Sequence, residues 1–246
     1  MKIIDGHIHI GKWSRFYAGY KSSVKEAVRV LKKFNISEAV CMPADEEPNQ
    51  RLLLNIKKEK DIKFHFCAWI DPSDKNLDEF IDKEINNIKF FKIHPSFLRK
   101  RVTDASLTKY LDIALDNRIP VIVHCGRWQE IASFEYPLEI AKKYKKLQII
   151  LAHLGGDVPL ICLECASKIK LGKYKNIYLG TESVREYYFV KKVIDAVGAD
   201  KIIFGSDYNL CFPGTFITII ENLNISKEEK ELIFYKNITR LIKKDF

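Results

Sequence analysis

The 246-residue chain lacks several features that are typical of membrane, secreted and multidomain proteins. No stretch of about 18 residues is both apolar and uncharged, so we expect no membrane span and no membrane partner. The N-terminus has one Lys and a short apolar stretch before Asp5, which is too brief for a signal peptide. There is no Pro/Gly/Ser-rich linker and no internal repeat. We therefore expect one cytoplasmic domain over residues 1–246.

Cysteine is sparse, and its spacing does not match a disulfide framework. Of six cysteines, only Cys162 and Cys165 form a Cys-x-x-Cys pair, without the second pair that a zinc site of this type needs. Two reduced thiols, half-buried in a predicted helix, are the better interpretation. Cys125 lacks a base and an orienting group of its own, so we exclude a cysteine nucleophile.

Positive charge is in excess, with 41 Lys and Arg against 32 Asp and Glu and a net charge of +9. Most of the excess falls on predicted helix faces such as residues 142–146, where solvated surface explains it. A basic patch alone is not a nucleic-acid-binding motif, so we do not expect a nucleic-acid partner. The charge favours small anionic substrates.

Strand-like and helix-like segments alternate along the whole chain. Eight amphipathic windows predict helices at 22–34, 47–59, 74–87, 104–117, 130–145, 157–170, 184–197 and 213–222. Apolar runs predict strands at 2–10, 37–42, 62–70, 88–94, 119–124, 147–153, 176–180 and 201–206. Since parallel strands need crossover helices, the alternation predicts an α/β fold, a (β/α)8 barrel.

A C-terminal helical segment follows the predicted barrel. Ser226 and Glu229 have the spacing of a capping box, and the helical pattern continues to about Lys244. We expect this segment to pack on the outside of the barrel. The exposed helix faces of such a barrel would also allow a homodimer.

Two histidines stand two positions apart in the first predicted strand. The period of a strand places His7 and His9 on one face, where their imidazoles can share a metal ion. Taken alone, such a pair is more often two ordinary interior histidines than a metal site. However, His124, His153 and Asp207 also end apolar runs. Barrel enzymes place their catalytic groups at the carboxyl ends of strands, so the five side chains predict one metal site.

These residues lie in motifs that resemble the amidohydrolase superfamily, in particular the amidohydrolase-related branch, which contains metal-dependent hydrolases and non-oxidative decarboxylases. The resemblance spans residues 3 to 241 and includes a C-terminal helix with Asn237, Arg240 and Leu241. Its motifs are Ile4-Asp5-Gly6-His7-Ile8-His9, Pro120-Val-Ile-Val-His124, Leu151-Ala-His153-Leu-Gly-Gly156 and Phe204-Gly-Ser-Asp207-Tyr208.

The resemblance implies a divalent ion held by His7, His9, His124 and Asp207. We expect Zn, with Mn or Fe as alternatives, and one ion rather than two. His153 is then either a catalytic histidine or a ligand to a second ion. Asp207 would also be catalytic, accepting a proton from a water that the ion activates. His153 would polarise the substrate carbonyl or stabilise the oxyanion.

Predicted substrate contacts are Lys92, His94, Arg127 and Tyr208. Lys92 and His94 share a face of the fourth strand; Lys92 contacts substrate, lines the site, or is carbamylated between two ions, as in other branches. Arg127 would clamp a substrate carboxylate, or lie in solvent. Further residues near strand ends shape the pocket or merely pack in loops: Trp13, Arg15, Tyr17, Trp128 and Glu182.

The sequence predicts a metal-dependent hydrolase that uses ion-bound hydroxide on a small amide, ester or lactone. The alternative is a decarboxylase of a small aromatic or dienoic acid on the same metal site. His7 favours the hydrolase, because many decarboxylases of the branch have Glu at this position. A deoxyribonuclease on a similar barrel is disfavoured, since Lys92 stands where such enzymes have Glu. A non-catalytic metal-binding scaffold is the remaining alternative.

Overall fold

A computed structural model describes residues 1–246 as strands alternating with helices. The strands are β1 (Ile3–Lys12), β2 (Lys21–Ser22), β3 (Ile36–Pro43), β4 (Lys63–Trp69), β5 (Phe90–Ile93), β6 (Val121–Val123), β7 (Ile149–Leu151), β8 (Ile177–Gly180) and β9 (Ile202–Ile203). The helices are α1 (Val24–Lys33), α2 (Asn49–Ile56), α3 (Leu77–Glu84), α4 (Pro95–Leu98), α5 (Thr108–Asp116), α6 (Gln129–Ala132), α7 (Glu135–Lys143), α8 (Pro159–Gly172), α9 (Tyr187–Val197), α10 (Pro213–Asn222), α11 (Lys227–Glu231) and α12 (Asn237–Lys243).

The strands form one curled sheet in the order β2-β1-β3-β4-β5-β6-β7-β8-β9. Every neighbouring pair is parallel except β1 and β2, which form a short antiparallel pair at the carboxyl end of β1. Helices cover the outer face, as parallel strands require. The predicted α/β class is therefore confirmed, and the predicted strands and helices occur in their expected order.

The predicted closed (β/α)8 barrel is confirmed only in part, because the regular ladder is open between β9 and β1. The backbone after β9 leaves the extended conformation, and Asp207 has a φ of 58°. Isolated hydrogen bonds replace the ladder there: Gly6 N donates to Phe204 O at 2.8 Å, and Asp207 N donates to His7 O at 3.0 Å. We call the contact of residues 204–208 with β1 the seam.

The C-terminal segment packs differently from the prediction of an outer position. The capping box at Ser226 and Glu229 is present, but Ile238 and Leu241 of α12 are fully buried. They join an inner cluster formed by side chains from the strands: Ile4, Val40, Met42, Cys67, Phe90, Ile122, Ile150, Tyr178 and Ile203. Because these side chains point inward at the amino ends of the strands, α12 covers that end of the sheet.

The main core lies between the outer face of the sheet and its helices, in a cluster of 60 buried residues. None of the helices combines the length and the apolar character needed to cross a bilayer. The core fixes the strand ends opposite α12, where the predicted site residues gather.

Candidate metal centre and active site

His7 and His9 are buried neighbours near the end of β1, with their Nε2 atoms 3.2 Å apart. His9 Nδ1 lies 2.9 Å from the carbonyl oxygen of Pro43. His7 Nδ1 lies 2.9 Å from Oε1 of Glu182. Carbonyl and carboxylate oxygens only accept hydrogen bonds, so both Nδ1 atoms carry the proton. Both Nε2 atoms therefore present lone pairs to the same point.

Asp207 brings a carboxylate to this pair of imidazoles. Its Oδ1 lies 3.8 Å from His7 Nε2 and 3.7 Å from His9 Nε2. Ser183 Oγ donates to the other oxygen, Oδ2, at 2.8 Å and fixes the carboxylate. One ligand atom from each of the three residues lies within 4.8 Å of the others. Two facing lone pairs beside a carboxylate suit a divalent ion, and two imidazoles with a carboxylate are donors that zinc accepts.

Asp5 ties the two ends of this cluster together. Its Oδ1 accepts the N–H of His7 at 3.1 Å and the N–H of Ser206 at 3.0 Å. Asp5 is fully buried, and burial raises its pKa to about 7 although these hydrogen bonds act in the opposite direction. The carboxyl of Asp5 thus positions the backbone on both sides of the seam.

The electrostatics keep the imidazoles neutral, as metal binding requires. Burial lowers the pKa of His9 to about 3 and that of His7 well below its usual range, and the charge of Lys92 lowers both further. Lys92 Nζ lies 3.3 Å from His7 Nε2, and burial lowers the pKa of Lys92 as well. Burial alone would raise the pKa of Asp207, but neighbouring histidines and the Ser183 hydrogen bond bring it below its usual value.

The other three predicted histidines form a second group beside the first. His153 Nδ1 lies 3.2 Å from the carbonyl oxygen of Glu182 and so carries the proton. His124 Nδ1 therefore donates to His153 Nε2, at 3.0 Å. The His94 ring stacks on that of His124, with centroids 3.8 Å apart and planes inclined by 14°. His124 thus lies outside the His7–His9–Asp207 group, and its ligation stays a prediction.

A cavity of about 500 Å³ opens at this end of the sheet. Arg99, beyond the end of α4, contributes a cation to its wall. The other lining residues are mainly aromatic: Phe16, Tyr17, His94, Ser96, Phe97, His124 and Trp128. The cavity therefore offers aromatic faces and one positive charge next to the histidine groups.

The predicted substrate contacts are distributed unequally around this cavity. His94 lines it, while Lys92 is buried beside His7. The side chain of Arg127 is largely exposed and pairs with Asp157 at 3.2 Å. Tyr208 is buried in the main core. Among the residues predicted near strand ends, Tyr17 and Trp128 line the cavity, Trp13 is buried and Arg15 is exposed.

Several residues of the site had no role in the sequence-based interpretation. Asp5 lies two residues before the His-x-His pair, and Ser183 directly follows Glu182, but nothing in the spacing reveals their hydrogen bonds. Glu182 was expected near the mouth without a defined partner. Arg99 lies five residues after His94, close enough to the strand end to have been considered.

A curled sheet of parallel strands with helices outside and polar side chains at the carboxyl strand ends defines an α/β enzyme architecture of the TIM-barrel type. The model of the family described as Amidohydrolase matches residues 4–244. The chain therefore belongs to the amidohydrolase family. None of the curated proteins matches the sequence.

Solved structures with the same fold have low sequence identity to this chain. An amidohydrolase from Burkholderia multivorans with bound zinc is 12% identical, with 99% of each chain covered and a TM-score of 0.77. A second structure is a probable 2-pyrone-4,6-dicarboxylic acid hydrolase from Acinetobacter baumannii with citric acid bound. It is 16% identical, the match covers 99% of this chain and 100% of that one, and the TM-score is 0.73. A third is a dihydroxybenzoic acid decarboxylase from Polaromonas sp. JS666 with bound manganese and the inhibitor 2-nitroresorcinol. It is 14% identical, the match covers 100% of this chain and 98% of that one, and the TM-score is 0.72.

Proposed function

We propose that the protein is a metal-dependent hydrolase of small, anionic amides, esters or lactones. The observation that carries this proposal is the grouping of His7 Nε2, His9 Nε2 and Asp207 Oδ1 within 4.8 Å. These residues would hold one divalent ion, with zinc as the first candidate because of the imidazole ligands. His124 is the fourth proposed ligand, on the resemblance of its motif alone.

When bound, such an ion polarises a substrate oxygen and lowers the pKa of a coordinated water toward neutrality. Asp207 would hold the ion through Oδ1, so Oδ2, which the Ser183 hydroxyl keeps in place, is the oxygen left to accept a proton from water. His153 is held through Nδ1 by the Glu182 carbonyl, so Nε2, which accepts the hydrogen bond of His124 in the structure, is the nitrogen that would take up a proton and pass it to the leaving group. The two residues thereby divide the proton transfers of hydrolysis.

The cavity wall supports the proposed substrate class. Arg99 is a cation beside aromatic rings, and an arginine can bind a carboxylate through two parallel hydrogen bonds. Phe97 and Trp128 offer flat apolar surfaces for the body of a small planar molecule. Citric acid in the Acinetobacter structure is an anionic ligand on the same fold.

A second candidate function is decarboxylation of a small aromatic acid on the same metal site. The aromatic lining favours it, because Tyr17, Phe97 and Trp128 can stack on a substrate ring. The Polaromonas decarboxylase shares the fold.

Turnover in labelled water separates the two reactions. Protein loaded with Zn or Mn would be incubated in ¹⁸O water with panels of aromatic esters, lactones, amides and carboxylic acids, and the products examined by mass spectrometry. A hydrolase incorporates ¹⁸O into the product, whereas a decarboxylase releases carbon dioxide and takes up solvent hydrogen. Asp207→Asn is the control, since it keeps the shape of the side chain but removes the carboxylate.

Incorporation that depends on both the metal and Asp207 would support hydrolysis. Carbon dioxide release without incorporation would overturn it in favour of the second function. Failure of both metals to support any turnover across the panels would count against both reactions.

A further inference from the structure

Glu182 lies two residues after β8 and is almost completely buried, with an exposure of 1%. Its Oε1 is 2.9 Å from His7 Nδ1 and 3.3 Å from the backbone N of His153. One carboxylate oxygen therefore accepts hydrogen bonds from His7 in β1 and from His153, two residues after β7, and these two strands do not neighbour each other in the sheet. This contact connects the two histidine groups of the site.

The backbone of Glu182 makes a further contact to the same region. Its carbonyl oxygen accepts a hydrogen bond from His153 Nδ1 at 3.2 Å. The side chain of Glu182 thus defines the protonation pattern of His7, and its main chain defines that of His153. Both imidazoles consequently present Nε2 as an acceptor.

Two glycines make room for the carboxylate. A Cβ added at Gly180 would lie 2.3 Å from Glu182 Oε2, and one added at Gly205 would lie 2.6 Å from the same atom. At Gly180 the three nearest atoms all belong to the Glu182 carboxylate. Oε2 has no hydrogen-bond partner, so the position of the carboxylate is set by Oε1 and by this space.

We propose that Glu182 is the positioning residue of the metal centre, which holds His7 in the Nδ1–H tautomer and thereby directs its Nε2 lone pair to the ion. The inference rests on the proposed metal site. A carboxylate that accepts the Nδ1 proton fixes the ring orientation and makes the opposite nitrogen a stronger ligand. His9 is held in the same Nδ1–H tautomer by the backbone carbonyl of Pro43, which is uncharged. Of the two groups that accept from these histidines, Glu182 is therefore the one carboxylate.

Zinc affinity of full-length variants tests this proposal. Isothermal titration of metal-free protein with Zn would compare wild type, Glu182→Gln and Glu182→Ala. We expect Glu182→Ala to weaken zinc binding by about 10–100-fold. Glu182→Gln keeps an oxygen that accepts from Nδ1–H and should retain more of the affinity. Equal affinities for wild type and Glu182→Ala would overturn the proposal.

A spectroscopic measurement separates positioning from a general loss of structure. In ¹⁵N-histidine spectra of the metal-free protein, the His7 signals, assigned by their loss in His7→Ala, should show a protonated Nδ1 in wild type and Glu182→Gln. Glu182→Ala should instead show a mixture of the two tautomers, while His9 keeps its protonated Nδ1. An unchanged His7 tautomer in Glu182→Ala would contradict the proposal.

Gly180→Ala provides a second, independent variant. The added Cβ would displace the Glu182 carboxylate, so we expect weaker zinc binding in the wild-type background. In the Glu182→Ala background the same substitution has no carboxylate to displace and should add little further loss. Fully additive losses would show that Gly180 acts without Glu182 and would count against the proposal.

These measurements do not depend on turnover. If wild type binds no zinc, the metal-dependent function fails, while the His7 tautomer still decides whether Glu182 orients it. If zinc binding and turnover are present but unaffected by Glu182→Ala, the positioning role fails alone.

Discussion

The indole Nε1 of Trp13 donates a 2.7 Å hydrogen bond to Oδ1 of Asn209. Trp13 follows β1, and Asn209 follows the seam, so the bond joins the two loops that flank the His7–His9–Asp207 group. Asn209 in turn donates to Ser22 Oγ in β2. The short antiparallel pair β1–β2 is thereby attached to the loop after Asp207.

Trp13→Phe tests this attachment. The substitution keeps an aromatic ring but leaves the buried Asn209 oxygen without its donor, which costs about 1–3 kcal/mol of unfolding free energy. Urea denaturation followed by circular dichroism measures the loss. The matched control is Trp128→Phe, because Trp128 is 45% exposed and should change stability by only about 0.5 kcal/mol or less. Equal losses for both variants would contradict the role of the bond.

Elemental analysis of the purified protein tests the proposed metal centre. We expect about one divalent transition metal per chain in the wild type, and loss of this metal in a His7→Ala/His9→Ala double variant, since two of the ligands are removed. The control is His65→Gln, which changes a buried histidine outside the site. A metal content that is the same in all three proteins would show that the ion is bound elsewhere.

The stability of the protein should depend on pH through His65. Burial lowers the pKa of His65 below its ordinary value of 6.5, and the hydrogen bond from its Nε2 to Glu38, 2.8 Å long, opposes this shift only in part. The folded state therefore favours neutral His65. Its contribution to stability is complete above pH 6.5 and is lost as the pH falls below that value toward the folded-state pKa, because the unfolded chain binds the proton first.

Urea denaturation at pH 7.5 and pH 5.5 of wild type and His65→Gln measures this contribution. Glutamine does not titrate, so the wild type should lose more stability than the variant between the two pH values. Other titrating groups act in both proteins and cancel in the comparison. An identical pH dependence would exclude His65 as a source of acid sensitivity.

Leu241 of α12 is fully buried against the inner ends of the strands. Leu241→Ala should therefore destabilise the protein by about 2–5 kcal/mol, through lost apolar burial and the cavity left behind. The control Leu171→Ala removes a leucine that is 80% exposed and should lie within about 0.5 kcal/mol of wild type. Thermal denaturation compares the two. A small effect of Leu241→Ala would show that α12 is not part of the folded core.

The sequence predicted the elements and the first histidine pair because both depend on local periodicity. The alternation in β1 places His7 and His9 on one face whatever the rest of the chain does. The orientation of His124 could not be predicted in this way. Its ring direction depends on stacking against His94 and on the hydrogen bond to His153, which only the assembled strand ends create.

The loop residues and the position of the C-terminal segment were harder to predict from the sequence, because they too depend on contacts between distant parts of the chain. The sequence left Arg127 between a substrate contact and a place in solvent; the structure shows it largely exposed beside Asp157, while Arg99, after the short helix α4, lies in the cavity wall. The helical pattern of α12 specifies an apolar face without specifying what covers it. Ile238 is buried within the curl of the sheet, because without α12 the inner apolar cluster would be uncovered at that end.

His7 and Asp207 stand near opposite ends of the sequence, yet both belong to the group of possible metal ligands. During synthesis on a ribosome, about two hundred residues must be made between the first ligand and the last. The proposed metal centre therefore cannot assemble until Asp207 has emerged, and contacts of such long range form late in folding. Metal capture would then report that the chain has been made and folded through Asp207.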